Sequence, residues 1–268
     1  MTQPLALQCW NRPGRHGGSA ALPWRDVLQL AVRSMKLDDV APFDIDKKVL
    51  GLPERPVKCL MSLAARDFVD EISRESPAPG GGSVAALCGA IAAALGCMVA
   101  NLTISKEGYE KVWDKLSELA LRTQEIKERL VRAVDTDTDA FNLVIAAQRM
   151  ASDTPEEKAT RTAAIEAGYQ AASKVPLGTA KLCVEAVRIA AEIAELGNAA
   201  SVSDAGVAAL IGCAGVEGAV YNVRINLPSV KDKQFCQEME RDLDAIVSEA
   251  RALRDRTDSY VLGKIKKG

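Results

Sequence analysis

The sequence has almost no histidine. The only one among 268 residues is His16, which lies in a leader rich in glycine and proline. Ser-His-Asp and Cys-His sites need a histidine base, and most zinc sites use histidine ligands. Any catalysis by the rest of the chain must therefore use carboxylates, amides, lysines, thiols or backbone N–H groups, and we predict no metal site.

Aromatic residues and net charge are also scarce. Aromatics make up 4% of the chain, and 34 basic residues nearly balance 36 acidic ones, which leaves a formal net charge of −2. A low content of aromatic side chains disfavours a surface on which nucleic-acid bases could stack. A nearly neutral chain creates no field that attracts nucleic acid or anionic lipid. We therefore predict neither a nucleic-acid nor a membrane partner.

The cysteines show no pairing pattern. Seven are scattered along the chain, an odd number without a Cys-x-x-Cys motif. Such a set in a long chain is typical of reduced, buried thiols. The first 18 residues contain no apolar signal core. We therefore expect a cytoplasmic protein without a structural disulfide.

Apolar residues recur at helical spacing, and alternating strand patterns are nearly absent. The sequence predicts an all-α bundle of long helices with short connections. Residues 1–58 form a predicted loose leader and linker, although residues 24–35 could form a short helix, and residues 59–268 form the helical domain. The predicted helices of that domain cover residues 63–74, 84–104, 109–150, 155–174, 178–196, 203–226 and 231–262. We expect a possible break near Asp135 and a kink or restart at Pro176. Ser203 and Asp204 are the predicted caps of the helix that covers residues 203–226.

A flexible loop precedes the most apolar segment. Residues 76–86 read SPAPGGGSVAA, and residues 84–104 contain no charge. A helix that is apolar all round is either central in a bundle or spans a membrane. Its many small residues and the amphipathic neighbouring helices favour the central position. The glycines either allow a sharp turn or expose N–H groups to a carboxylate or phosphate of a ligand, which makes Gly80, Gly81, Gly82 and Ser83 candidate binding residues.

Asp137 interrupts an apolar helical stripe. Five apolar residues share one face of the predicted helix, at spacings of four, four, seven and three; they are Ile126, Leu130, Val134, Phe141 and Val144. Asp137 lies on the same face, in the gap of seven residues between Val134 and Phe141. A carboxylate on a core-facing stripe is costly unless it is paired. The same pattern projects Asp135 and Asp139 to the opposite, solvent-accessible side. A helix break or a buried salt bridge would explain Asp137 structurally; otherwise it is a candidate general acid or base.

Two further polar groups carry weaker signals. Residues 197–204, GNAASVSD, are explained either as a corner between helices or as part of a site. Asn222 and Asn226 lie four residues apart on the next helix and could offer amide hydrogen bonds, or simply form a polar helix edge.

Six ordered motifs resemble the formimidoyltetrahydrofolate cyclodeaminase family, which includes the C-terminal half of formimidoyltransferase-cyclodeaminase and related methenyltetrahydrofolate cyclohydrolases. The resemblance covers residues 60 to the end. In addition, LAVRSMKLDDVAPFD resembles the end of the formimidoyltransferase half. The six motifs are SPAPGGGSVAA, VDTDTDAFN, DTPEEK, KVPL, GNAASVSDAGVAAL and NVRINL.

The resemblance implies a folate enzyme that needs no cofactor. It implies that 5-formimidoyltetrahydrofolate is converted to 5,10-methenyltetrahydrofolate and ammonia, in histidine degradation and one-carbon metabolism. Asp137 matches the family's proposed catalytic aspartate, the glycine loop lines the folate cleft, and Asn198 and Asp204 match its GN…SD motif as candidate binding residues. The family further implies a homodimer, with a formimidoyltransferase as a possible separate partner.

Several alternatives stay open. A cyclohydrolase on the same fold is the second function, and a catalytically silent dimerisation module is the third. The segment resembling the transferase end favours the cyclodeaminase. The glutamate tail of the folate, which can be polyglutamylated, requires a cation, and the candidates are Lys106, Lys174 and Arg224.

Overall fold

The structure is a computed structural model that describes residues 22–39, 41–49, 59–76 and 78–266. The first 21 residues, with His16, and residues 50–58 of the predicted linker lie outside the described residues. Within the described ranges the chain contains helices and turns but no strand. The all-α prediction is therefore confirmed for this part of the chain.

Long helices form the body of the protein, and short ones precede them. The short helices are α1 (Trp24–Ser34), α2 (Ile45–Lys48) and α3 (Ala65–Ile72); the long ones are α4 (Gly81–Thr103), α5 (Trp113–Gln148), α6 (Pro155–Leu196), α7 (Val202–Asn226) and α8 (Lys233–Ile265). The connections among the long helices are short, and three of the four contain a 3-10 turn. These turns are Glu110–Val112, Ala199–Ser201 and Leu227–Ser229.

The uncharged helix α4 is the centre of the bundle. It packs against α5, α6 and α7, while α8 covers α6 and α7. Small residues let these helices approach closely. A β-carbon at Gly215 would lie 3.0 Å from the carbonyl oxygen of Ala85, and one at Gly89 would collide with the sulfur of Cys183. Helix α4 therefore sits at close range to both α6 and α7.

Within the part of the chain that the structure describes, two segments are long and apolar enough to cross a membrane by length and composition. They are Gly81–Thr103 and Ala199–Ser229, and 61% and 56% of their most apolar windows are buried inside the protein. The central helices of a soluble bundle meet the same criterion. Their apolar character is thus accounted for by packing against the other helices.

Helix α6 starts where the sequence predicts, whereas the start of α7 differs from the prediction. Thr154 caps α6 in a capping box, because its hydroxyl accepts the Glu157 N–H at 3.2 Å and the Glu157 carboxylate accepts the Thr154 N–H at 3.0 Å. The predicted cap at residues 203–204 is wrong. Helix α7 starts at Val202 because the 3-10 turn Ala199–Ser201 already begins helical geometry, so Asp204 lies within the first turn.

Helix α6 runs through Pro176 without ending. The helix does not restart there, and the predicted break near Asp135 in α5 is likewise not observed. Proline has no N–H, so the carbonyl four residues earlier, on Ala172, loses its helical partner. The side-chain amide of Asn226 donates to that carbonyl oxygen at 3.0 Å. Asn226 on α7 thus replaces the hydrogen bond that Pro176 removes from α6.

Replacement of Asn226 by alanine is therefore expected to lower the free energy of unfolding by about 1–3 kcal/mol, because a carbonyl between two packed helices loses its donor. Urea denaturation of the purified protein measures this change. Asn142→Ala on α5 is the matched control, since Asn142 is an exposed helical asparagine. Equal urea midpoints for the two variants would contradict the assignment.

Candidate active site

The carboxylate of Asp137 lies against the first turn of α4. Asp137 is half-buried on α5, on the same side as the buried Val134 and Val144. A β-carbon at Gly82 would collide with both carboxylate oxygens and the carboxyl carbon of Asp137. The absence of a side chain at Gly82 is therefore what lets this carboxylate reach the helix N-terminus.

The environment of Asp137 favours its protonated form more than water does. Burial raises the pKa of the carboxyl group, and the backbone N–H of Ser83 opposes that rise. A carboxyl group with a raised pKa is a stronger base than an ordinary aspartate, which favours its accepting a proton and passing it on. The geometry therefore supports an acid–base role.

Ser83 fixes α4 against α5 at this point. It is fully buried, and its hydroxyl donates to the carbonyl oxygen of Val134 at 2.8 Å. Its N–H faces Asp137. Of the four predicted loop residues, Gly82 and Ser83 are thus occupied by contacts within the chain, whereas Gly80 is half-buried and Gly81 is exposed. Substrate binding by the loop stays a prediction, and Gly80 and Gly81 are its accessible part.

The neighbouring aspartates differ from each other. Asp139 is exposed, in line with its predicted outward position. Asp135 does not simply face solvent, because its carboxylate accepts the backbone N–H of Leu60 at 2.7 Å and the thiol of Cys59 at 3.0 Å. The segment before α3 therefore crosses α5 and gives Asp135 a structural partner. The helical period places the side chain correctly but contains no information about this segment.

Asn222 is a neighbour of the site that the sequence motifs did not connect to the glycine loop. A β-carbon at Gly81 would lie 3.2 Å from the side-chain nitrogen of Asn222. Helices α4 and α7 run antiparallel, so the end of α7 meets the start of α4. The two residues are far apart in the chain, and only the packing of the helices brings them together.

The predicted residues Asn198 and Asp204 lie at the other end of α4. Asn198 is buried, and its backbone N–H and side-chain amide donate to the Thr103 hydroxyl at 2.9 and 3.2 Å. Asp204 is half-buried at the start of α7. The 23 residues of α4 span about 35 Å at 1.5 Å per residue. Within one chain the structure therefore does not bring these two residues together with Asp137.

The three candidate cations are placed differently. The Arg224 guanidinium is occupied by two carboxylates, Glu240 at 3.1 Å and Asp244 at 2.6 Å. Lys106 follows the C-terminal end of α4, remote from Asp137. Lys174 is exposed on α6, over the ring of Phe235 at 5.6 Å, and forms no ion pair with any described residue. Arg224 and Lys174 lie toward the end of α7 that meets the start of α4, and of these two Lys174 is the one without a carboxylate partner among the described residues.

These features define an all-helical bundle in which a half-buried carboxylate contacts the glycine-led start of the central helix. The sequence profile of the family described as formiminotransferase-cyclodeaminase matches residues 64–245. The chain belongs to the formiminotransferase-cyclodeaminase family.

Individual relatives agree with this assignment. A methenyltetrahydrofolate cyclohydrolase of Methylorubrum extorquens is 37% identical over 198 residues, which cover 74% of this chain and 95% of that protein. The formimidoyltransferase-cyclodeaminase of Rattus norvegicus is 33% identical over 227 residues, 84% of this chain but 42% of the relative. The solved structure of formiminotetrahydrofolate cyclodeaminase from Thermotoga maritima superposes with a TM-score of 0.69 and 27% identity, covering 76% of this chain and 98% of that one.

The chain thus spans about two fifths of the bifunctional relative and almost all of the cyclohydrolase. Its relatives are folate enzymes of the cyclodeaminase and cyclohydrolase type, and the family resemblance of the sequence motifs is confirmed.

Proposed function

We propose that this protein is a formimidoyltetrahydrofolate cyclodeaminase, which releases ammonia from 5-formimidoyltetrahydrofolate and forms 5,10-methenyltetrahydrofolate. The observation that carries the proposal is the Asp137 carboxylate, half-buried with a raised pKa against Gly82 at the start of α4. The reaction belongs to histidine degradation and one-carbon folate metabolism.

The reaction needs one group that moves a proton beside a cation. N10 of the folate attacks the formimidoyl carbon, and a new N10–C bond forms. The formimidoyl group enters as its protonated amidinium form, so Asp137 takes the proton from N10 and gives it to the NH2 nitrogen, whose bond to carbon then breaks as neutral ammonia leaves. The carboxylate returns to its starting state, and its charge stabilises the methenyl cation.

The extent of the similarity supports the cyclodeaminase. The match to the bifunctional rat relative covers 84% of this chain, compared with 74% for the bacterial cyclohydrolase. The cyclohydrolase remains the second candidate, because that relative is 37% identical and matched over 95% of its length. In that reaction Asp137 would deprotonate the water that attacks the methenyl carbon.

A comparison of two substrates distinguishes the candidates. The purified protein is incubated with 5-formimidoyltetrahydrofolate while ammonia and methenyl absorbance are followed, and separately with 5,10-methenyltetrahydrofolate while loss of that absorbance is followed. We expect ammonia release in the first assay. Loss of methenyl absorbance alone would indicate the cyclohydrolase, and no change in either assay would indicate a silent module.

We further propose that the protein acts as a homodimer that joins through α4 and α7. Both helices carry large apolar side chains that are more than a third exposed, and the two helices are direct neighbours. These side chains are Ile91, Met98 and Leu102 on α4, and Val207, Leu210, Tyr221 and Ile225 on α7. A contiguous apolar surface of this kind is typical of a protein interface. If the two-fold axis of the dimer ran perpendicular to the antiparallel helices α4 and α7, the start of α7 in the partner subunit would lie near the Asp137 end of this subunit. The partner's Asp204 would then lie on the same side as Asp137.

Leu210→Glu tests this interface, because it places a charge in the middle of the proposed contact, where its burial would be unfavourable. We expect the variant to sediment as a monomer at concentrations at which the parent protein is a dimer. Leu143→Glu on α5 is the control, since Leu143 is 58% exposed outside this surface. An unchanged sedimentation coefficient for Leu210→Glu would exclude the interface.

The remaining parts of the proposal follow from this chemistry. The reaction uses the tetrahydrofolate derivative as substrate and no cofactor, and we propose that it takes place in the cytoplasm with substrate supplied by a separate formimidoyltransferase. Lys174 is the proposed contact for the glutamate tail, because Arg224 is already paired with Glu240 and Asp244.

A further inference from the structure

Two polar side chains reach adjacent residues of the first turn of α4. Asp137 approaches Gly82 from α5, and Asn222 approaches Gly81 from α7. Successive helical residues point about 100° apart. The carboxylate and the amide therefore approach the start of α4 from two directions, with the exposed Gly81 at the surface between them.

The amide of Asn222 is oriented by its own helix. Its nitrogen donates to the carbonyl oxygen of Gly218 at 2.8 Å. Its oxygen Oδ1 accepts no hydrogen bond from any described residue, and the side chain is only half-buried. Asn226, one turn later, uses its amide to bind Ala172 and the backbone of Asn222 instead. Asn222 thus presents an acceptor that the fold itself does not use.

The proposed reaction contains a donor that matches this acceptor. In 5-formimidoyltetrahydrofolate the departing nitrogen carries N–H groups and becomes more positive as it receives the proton from N10. Asp137 is occupied with that proton transfer and cannot hold the leaving group at every stage. A neutral oxygen that reaches the start of α4 from another direction can hold the nitrogen without competing for the proton.

We propose that Asn222 is a second catalytic residue, whose Oδ1 accepts a hydrogen bond from the departing formimidoyl nitrogen while Asp137 transfers the proton. The proposal rests on the cyclodeaminase function proposed above. The covalent step is unchanged: the N10–C bond forms, the proton moves from N10 to the departing nitrogen, and the C–N bond to ammonia breaks. Asn222 orients this nitrogen and stabilises its positive charge, and it would contribute little to hydrolysis of a methenyl substrate, which has no leaving ammonia.

Asn222→Ala tests the proposal. Hydrogen bonds to charged groups correspond to a rate effect of about 10–100-fold. We expect kcat for ammonia release to fall by about this factor, KM to change less, and the thermal midpoint to stay near that of the parent protein, because the amide bonds only to its own helix. Asn222→Asp loses the donor to Gly218 but retains an acceptor oxygen, and it is expected to keep more activity than Asn222→Ala.

Asn226→Ala is the matched control. It should lower the thermal midpoint but keep kcat when assayed well below that midpoint, which is the opposite of the result expected for Asn222→Ala. If Asn222→Ala keeps full kcat, or loses stability together with activity and is not improved by Asn222→Asp, the inference is overturned. If the parent protein releases no ammonia from 5-formimidoyltetrahydrofolate, it is instead the proposed function that fails.

Discussion

Asp137→Asn is expected to lower the rate of ammonia release by about 10²–10⁴-fold, which is the usual contribution of a general acid–base group. Asparagine has nearly the same shape but neither the charge nor the basicity of aspartate. It can fill the space over Gly82 and still cannot carry the proton from N10. The assay follows ammonia release at saturating 5-formimidoyltetrahydrofolate.

Asp139→Asn is the control for this experiment, because Asp139 is exposed on the same helix. Asp135 is unsuitable, since its carboxylate binds the backbone of Leu60 and the thiol of Cys59. Near-full ammonia release by Asp137→Asn together with loss of activity in Asp139→Asn would show that the wrong carboxylate has been assigned.

The same variant has a predictable effect on stability. Because burial raises the pKa of Asp137, the carboxyl group favours the folded state when protonated and loses this contribution as the pH rises through its folded pKa. Asp137→Asn removes the buried charge. We therefore expect the variant to be as stable as the parent protein at acid pH and more stable at neutral pH, as measured by thermal unfolding across this range.

Gly82→Ala is expected to reduce activity by about 10²-fold, because the new β-carbon would take the place of the Asp137 carboxylate and displace it from its reactive position. The overlap should also lower the free energy of unfolding by about 1–3 kcal/mol. Gly178→Ala is the control, since nothing lies within 4 Å of a β-carbon there. Alanine at this helical position should be neutral or stabilising by roughly 0.5–1 kcal/mol.

A double-mutant cycle isolates the cause. If Gly82 is needed because of the Asp137 carboxylate, Gly82→Ala should cost much less stability in an Asp137→Ala background than in the parent protein. Equal costs in both backgrounds would mean that another contact requires the glycine.

The helical period was sufficient to place Asp137. Its position in the apolar stripe predicts a side chain directed at the core, and the structure has it half-buried beside Val134 on an unbroken helix. The start of α6 at Pro155 was equally accessible, because the groups that cap it lie within four residues. Signals of this kind are local, and they fix which face of a helix a residue occupies.

Contacts between distant segments could not be predicted in this way. Pro176 suggests a helix end by local rules, but α6 continues through it and Asn226 of another helix binds the carbonyl that lost its partner. Asp135 appears solvent-facing by helical phase, although the segment around Leu60 crosses it. The GN…SD motif and Asp137 both match the family motifs, which suggested one common site. In the structure, however, Asn198 binds Thr103 at the opposite end of α4 from Asp137. In each case the partner is set by helix packing, which the periodicity of one segment does not contain.

The pH dependence of kcat/KM for ammonia release tests most directly whether Asp137 carries the proton. For the parent protein we expect the rate to fall toward acid pH with an apparent pKa above the ordinary aspartate value of about 3.9, because burial raises the pKa of this carboxyl group. In Asp137→Asn the small residual rate should no longer show this acid limb. An acid limb that persists unchanged in Asp137→Asn would contradict the assignment and place the proton transfer on another group.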